Sequence, residues 1–376
     1  MQNKKPFVFG KAVGDDHFIG REKEMERLAA NMRYGVNTIL ISPRRWGKTS
    51  LVKMVGKMVN DDNVRVIHID AYACRSEYDF YNAFAIAILQ QTATRMDEVK
   101  EMVQDFIGRI IPTFSVSLDP QQTISMSLGI SPKTHRPEEI LNLPELIASK
   151  RGQQFVICID EFQQIGDFPD SITVQKRLRS VWQHQENVSY CLYGSKKHMM
   201  TTLFQQRSKP FYKFGSTMYL PVIPTEVWVP YLRKQFASEG KTLSPNLAAE
   251  MCAIVENNSS YVQELAFNVL LCTRGDEVTQ EQLKEGIEEM IDSNVTLFIE
   301  KTEHLTTYQM NYLRALISGV HNDFGKADIR ERYNLGSPTN VKRIKDALEE
   351  REIVDVTEQG VFISDPVLSM WLRRVI

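Results

Sequence analysis

The chain has 376 residues, 43% hydrophobic and 24% charged, with 45 basic and 47 acidic side chains and a formal net charge of −2. That length suits two or three domains with sizeable cores, and the balanced charge excludes a protein that coats nucleic acid by charge alone. Its five cysteines (Cys74, Cys158, Cys191, Cys252 and Cys272) never fall at CxxC spacing, which argues for buried thiols in a reducing compartment and against a zinc site or disulfide framework.

In chain order, Lys4 and Lys5 precede Phe7-Val8-Phe9, an apolar run too short for a signal peptide. No apolar run reaches bilayer length, so a cytoplasmic protein with no membrane partner is expected. Thr38-Ile39-Leu40-Ile41 predicts a buried strand, followed by a loop and a helix over 49–59. Residues 64–70 read as the next strand and 78–110 as a long helical stretch. Between 112 and 132, Phe114, Val116 and Leu118 alternate with serines, as do Ile124, Met126 and Leu128 beyond Asp119-Pro120. This period of two on both sides of a turn predicts an inserted hairpin. Buried strands are expected at 154–160, 188–193 and 217–220. Strands alternating with helices predict βαβ units and a parallel sheet over residues 1–221.

From 225 to 301 the periodicity is helical, with helices at 227–240, 247–255, 261–271 and 280–298 forming a lid over 222–303. Helices at 308–320, 326–333 and 338–351 and short strands at 353–356 and 360–364 complete a winged helix-turn-helix over 304–376. Its third helix carries Lys342, Arg343 and Lys345, suited to phosphate or base contact. Asp346, Glu349 and Glu350 follow at once, without the basic stripe of a strong DNA binder. DNA and a protein partner both stay open.

The strand at 38–41 runs into Ser42-Pro43-Arg44-Arg45-Trp46-Gly47-Lys48-Thr49-Ser50, the place of a GxxxxGK[ST] phosphate loop between strand and helix. Such a loop curls backbone N–H groups around phosphates, with a helix N-terminus aimed at the same charge. Ser42 stands where the first glycine belongs. Gly47 permits close backbone approach, Lys48 reaches the β- and γ-phosphates, and the Thr49 hydroxyl ligates Mg²⁺. A second apolar strand ends in Asp160-Glu161, where Asp160 holds Mg²⁺ and Glu161 polarises the attacking water. Ser195 is either a group orienting that water or the N-cap of the next helix. Arg177, Arg179 and Arg207 are candidates for stabilising transition-state charge, or members of solvated helix faces.

Phe18-Ile19-Gly20-Arg21-Glu22, the run from Pro43 to Leu51, Ile159-Asp160-Glu161-Phe162-Gln163, and Gly194-Ser195 followed by Met199-Met200 together resemble the archaeal-type ATPase family. That family lies near the AAA+ and STAND branches of P-loop proteins. The resemblance implies an α/β P-loop core with a parallel sheet, a helical lid and a C-terminal winged helix. It also implies ATP as ligand, with the Phe18 to Arg21 segment near the adenine and Ile19 and Gly20 as its contacts. Two departures are visible. Pro210-Phe211-Tyr212-Lys213-Phe214 lacks an arginine frequent in the family, and Tyr261-Val262-Gln263 lacks the lid arginine of many AAA+ proteins. Both point to a slow switch rather than rapid, oligomer-dependent turnover. The expectation is an Mg²⁺-dependent ATPase (ATP and water to ADP and phosphate) acting as a nucleotide-controlled switch, DNA-associated through its winged helix. The alternative is an ATP-binding signalling or scaffold protein with little turnover. A homo-oligomer is compatible with either.

Overall fold

Short apolar runs alternating with helices resolve into a parallel sheet flanked by helices. The computed structural model describes residues 5–92, 113–116, 124–127 and 136–376, and the chain divides into two units, Arg21–Pro221 and Met1–Gly20 with Val222–Ile376.

In the first unit, α1 (Glu22–Arg33) leads into β1 (Thr38–Ile41), α2 (Lys48–Val59), β2 (Val64–Asp70) and α3 (Glu77–Thr92). The paired strands β3 (Thr113–Val116) and β4 (Ile124–Ser127) follow, then α4 (Pro137–Leu141) and α5 (Leu143–Arg151). The unit closes with β5 (Gln154–Asp160), α6 (Ser171–Trp182), β6 (Val188–Gly194), α7 (Lys197–Gln205) and β7 (Ser216–Tyr219). Five strands form one sheet in the order β2-β5-β6-β1-β7, every neighbouring pair parallel. All of β1 and β6 is buried, as helices covering both faces of a parallel sheet require. From β1 the chain moves to the far edge at β2, so the strand order reverses. In such sheets ligands bind outside the carboxyl ends of the strands near that reversal. Here Ser42, Glu161 and Ser195 directly follow β1, β5 and β6.

An aromatic cluster fills one side of this unit. Trp182 stacks on Tyr190 with centroids 4.0 Å apart, and Phe162, Phe204, Phe211 and Phe214 pack around them. The expected hairpin is present as β3 and β4, antiparallel with Phe114 opposite Met126. Its turn at 117–123 and the 93–110 part of the expected long helix lie outside the described residues. The sequence reading passed over α1, α4 and α5. Of twelve residues α1 buries just Leu28, Ala29 and Met32, and α4 spans five residues, too little for a clear helical period.

In the second unit, α8 (Thr225–Ser238), α9 (Pro245–Ile254), α10 (Ser259–Cys272) and α11 (Gln280–Thr302) form the lid region. The winged helix comprises α12 (Thr307–Ile317), α13 (Ala327–Arg332), α14 (Pro338–Glu350), the ribbon β8 (Val354–Thr357) and β9 (Gly360–Ile363), and α15 (Pro366–Val375). One apolar core runs through both regions. Phe298 of α11 packs against Trp371 of α15 at 5.8 Å, and Tyr261 donates to Asp365 at 2.6 Å while Asp365 caps α15. Sequence pattern assigned residues 1–20 to the sheet region. Their contacts group them with the helices instead, because Phe7 is buried against Phe236 and the Val8 N–H donates to Gln263 at 2.9 Å. Among the described residues no helix is long and apolar enough to cross a membrane.

Candidate nucleotide site

The loop after β1 tightens through two left-handed residues, Arg45 at φ 67° and Gly47 at φ 87°. Nothing lies within 4 Å of a Cβ built on Gly47, so glycine serves there for backbone conformation and close approach rather than packing. Gly47 is also the N-cap of α2, so the first N–H groups of a twelve-residue helix face the loop, an arrangement that suits an anion. Lys48 begins that helix and is 6% exposed. Its ammonium folds back over the loop and donates to the carbonyls of Ser42 and Pro43, each at 2.9 Å. Buried Ser42 donates its hydroxyl to the Pro43 carbonyl at 3.2 Å, so a serine fits the first-glycine position. Ser50 is buried in the first turn of α2.

The Thr49 hydroxyl donates to Asp160 Oδ2 at 2.8 Å, which joins the phosphate loop to the end of β5. The second oxygen of Asp160 accepts the Glu161 N–H at 2.8 Å. Burial pushes the Asp160 carboxyl above its ordinary range, an effect that the Thr49 hydrogen bond opposes and neighbouring Glu161 reinforces. A half-buried carboxylate beside a threonine hydroxyl is a donor set suited to a hard divalent cation.

Glu161 sits at φ 50°, a region that non-glycine residues seldom occupy. This turn aims its carboxylate back across the strand ends. Glu161 Oε2 accepts from the Ser195 hydroxyl at 2.9 Å and from the Gln163 side-chain amide. Ser195 in turn accepts from Arg44 Nε at 3.2 Å. The helix after it, α7, has Lys196 as N-cap with no side-chain capping bond, so the Ser195 hydroxyl serves the carboxylate network instead.

Direct hydrogen bonds thus join Lys48 to Ser42 and Pro43, and link Thr49, Asp160, Glu161, Ser195 and Arg44 in a second set. Ile19 and Gly20 belong to the other unit, where Gly20 packs so tightly that an added Cβ would lie 2.7 Å from Val227 Cγ1. The candidate arginines are engaged elsewhere or exposed. Arg177 pairs with Glu77 at 2.6 Å and Glu138 at 3.3 Å, Arg179 lies over the Phe214 ring at 4.8 Å, and Arg207 is exposed.

Two residues support this site in ways the sequence reading does not give: Gln163 has no role there, and Arg21 enters only as the end of the segment that the resemblance sets near the adenine. Gln163 is fully buried, and a Cβ on Gly194 would fall 1.8 Å from its Oε1. The glycine-serine step after β6 is the signal that could have found it. Arg21 is 3% exposed and donates to the carbonyls of Trp46 at 3.1 Å and Pro221 at 2.6 Å. Its burial lowers the guanidinium to about 10, with Glu24 opposing.

A family described as a probable winged helix domain matches residues 296–374. No curated protein sequence matches the chain. Among solved structures, a Walker-type ATPase of Pyrococcus abyssi superposes with TM-score 0.71 at 16% identity, covering 98% of this chain and 100% of its own. The Aeropyrum pernix Orc2 protein, solved as ADPNP–ADP complexes, gives TM-score 0.61 at 14% identity, covering 100% and 98%. The Orc1 protein of the same organism, solved with DNA, gives 0.50 at 17%, covering 96% of each. At such identities the likeness is one of fold. The chain has the fold of these Walker-type ATPase and Orc structures, ending in a winged helix.

Proposed function

We propose that the chain binds ATP with Mg²⁺ at the loop from Ser42 to Ser50 and hydrolyses it slowly, as a nucleotide-controlled switch. The observation that carries this reading is the Thr49–Asp160 hydrogen bond flanked by buried Lys48 and anchored Glu161. Three roles in phosphoryl transfer, namely charge, metal ligation and water activation, meet at the ends of β1 and β5, on either side of β6.

On binding, Lys48 exchanges its carbonyl partners for β- and γ-phosphoryl oxygens, while the N-terminus of α2 faces the same charge. Thr49 and Asp160 would hold Mg²⁺, which when bound neutralises charge on the phosphoryl oxygens. Glu161 is held through Oε2 by Ser195 and Gln163, which orients the carboxylate to accept a proton from the attacking water. Arg44, through Ser195, fixes the same carboxylate from the loop side. Slow turnover is supported by the polar groups already committed elsewhere. Gln263 stands where many AAA+ lids place an arginine, and its side-chain oxygen already accepts from Val8 N and the Tyr231 hydroxyl.

The winged helix supports association with DNA. Lys342 and Arg343 are exposed on α14, the helix that enters the major groove in DNA-reading members of this fold, and the structurally similar Orc1 was solved with DNA.

Phosphate release by wild type compared with Glu161→Gln, with and without Mg²⁺, tests the hydrolase reading. We expect Mg²⁺-dependent release that falls about 10²-fold or more in the variant, the scale of a lost general base. Equal, low release from both proteins would replace it with the reading of an ATP-binding scaffold.

A further inference from the structure

The chain passes between its two units at two places, between Gly20 and Arg21 and between Pro221 and Val222. One side chain is bound at both. Arg21 opens the sheet unit as the N-cap of α1, and its NH1 group donates to the carbonyl of Pro221, the unit's last residue, at 2.6 Å. Its NH2 group donates to the carbonyl of Trp46 in the phosphate loop at 3.1 Å. The second passage is tied to the loop again through the backbone. Leu220 N–H donates to the carbonyl of Ile41 at 3.1 Å, and Ile41 is the last residue of β1 before the loop begins.

We infer that Arg21 is a positioning residue that couples the state of the phosphate loop to both passages of the chain between its units. A planar guanidinium presents its donors as a rigid fork, so it can set the separation of two carbonyls in a way a lysine ammonium cannot. Both acceptors here are backbone, and a shift of the Trp46 carbonyl is transmitted through one rigid group to Pro221 and to the start of α1. Burial adds to the rigidity, because a buried guanidinium has no solvent to fall back on if either carbonyl moves away.

The coupling rests on nucleotide binding at the loop, and one experiment separates the two claims. Hydrogen exchange is measured on the full chain, wild type and Arg21→Lys, each without nucleotide and saturated with Mg²⁺ and ADPNP. In the wild type, exchange is expected to slow in the loop, residues 42–50, and at both passages, about residues 20–25 and 219–226. Arg21→Lys keeps the charge but not the fork. It should retain the slowing in the loop and lose about ten-fold of it at the passages. Should Arg21→Lys unfold, Arg21→Met, of similar length and without a buried charge, carries the same comparison. Full nucleotide response at the passages of either folded variant overturns the inference and leaves nucleotide binding standing. So does a wild type that responds in the loop alone. A wild-type loop indifferent to saturating ADPNP overturns nucleotide binding, and the coupling with it.

Discussion

The two units use polar groups in opposite ways. In the sheet unit, charged and hydroxyl side chains converge where three strands end, and several sit in conformations or burial states that cost stability. Lys48 is buried on carbonyls, Asp160 is held above its ordinary titration range, and Glu161 lies at positive φ. In the helical unit, the corresponding groups fasten helices. Tyr261 and Lys301 meet Asp365, which caps α15, and Arg374 reaches Glu288 at 2.7 Å. Groups placed at a cost to the fold mark function, whereas groups satisfied by a cap or surface pair mark assembly. Within one chain the contrast separates the proposed ATP site from its supporting architecture.

Two lysines put that contrast to its hardest test. Lys48→Ala should raise the Kd for ADPNP steeply, because removing one partner of a buried charge pair costs about 2–5 kcal/mol, on the order of 30-fold to several thousand-fold. Lys301→Ala breaks a partly exposed pair at 3.8 Å and should leave the Kd unchanged, with a stability loss of about 1 kcal/mol or less. Titration of both variants with a fluorescent ATP analogue decides the matter. Similar losses in the two would erase the distinction.

A pair of glycines gives a finer version. Gly194→Ala would set a Cβ 1.8 Å from Gln163 Oε1, whereas Gly286→Ala would set one 2.6 Å from Val269 Cγ2 and 2.9 Å from Val269 N. Each overpacked site should lose about 1–3 kcal/mol in denaturant melts. Only Gly194→Ala should also cut phosphate release, since Gln163 cannot yield without releasing the Glu161 carboxylate. Release falling equally in both variants would show that turnover follows global stability.

How much of this was legible in the sequence follows the same division. The runs at 38–41 and 154–160, ending in a GKT loop and an Asp-Glu pair, are continuous in sequence and visible as patterns. The network around Glu161 was legible only in part. In sequence Ser195 fits two roles, because a serine before a helix is a common cap, and its choice of Glu161 depends on β6 lying beside β5. Arg21 and Pro221 lie 200 residues apart, and no local period encodes a bond across such a distance. Phe7 was missed as part of the helical core for the same reason. The winged helix was readable as a fold because its helices are amphipathic, with Val341, Ile344 and Leu348 buried along α14. A binding preference was not, because exposed Lys342 and Arg343 are followed at once by Asp346, Glu349 and Glu350.

Those two basic residues give a smaller effect on the same comparison, on an exposed helix surface rather than at buried strand ends. If α14 faces DNA, replacing Lys342 and Arg343 by Ala should weaken duplex retention uniformly across sequences. It should also lower the slope of log affinity against log salt by about 2, one for each phosphate left without its cation. Phosphate release from ATP should not change. An unaltered slope measured on a duplex of mixed sequence assigns the winged helix to a protein partner or to a different DNA-binding face.

The smallest effect expected is the most diagnostic of a site kept at a cost. The Asp160 carboxyl is raised chiefly by burial, so the fold favours its neutral form. Stability from that preference is present below the ordinary carboxyl range and is lost as pH rises through the raised value. At neutral pH the metal-free protein therefore carries a burdened carboxylate. Asp160→Asn removes the charge and keeps groups that can meet Thr49 and the Glu161 N–H. Its Tm in EDTA at neutral pH should rise by about 1–3 °C, the scale set by ~1 kcal/mol in domains of this size. Mg²⁺ with ADPNP should raise the Tm of wild type more than that of the variant, because the proposed metal role needs the charge. A fall in the metal-free Tm of Asp160→Asn would mean that the two hydrogen bonds to the carboxylate outweigh its desolvation. Asp160 would then belong with Asp365, as a fastening of the fold rather than a group the fold carries for the metal.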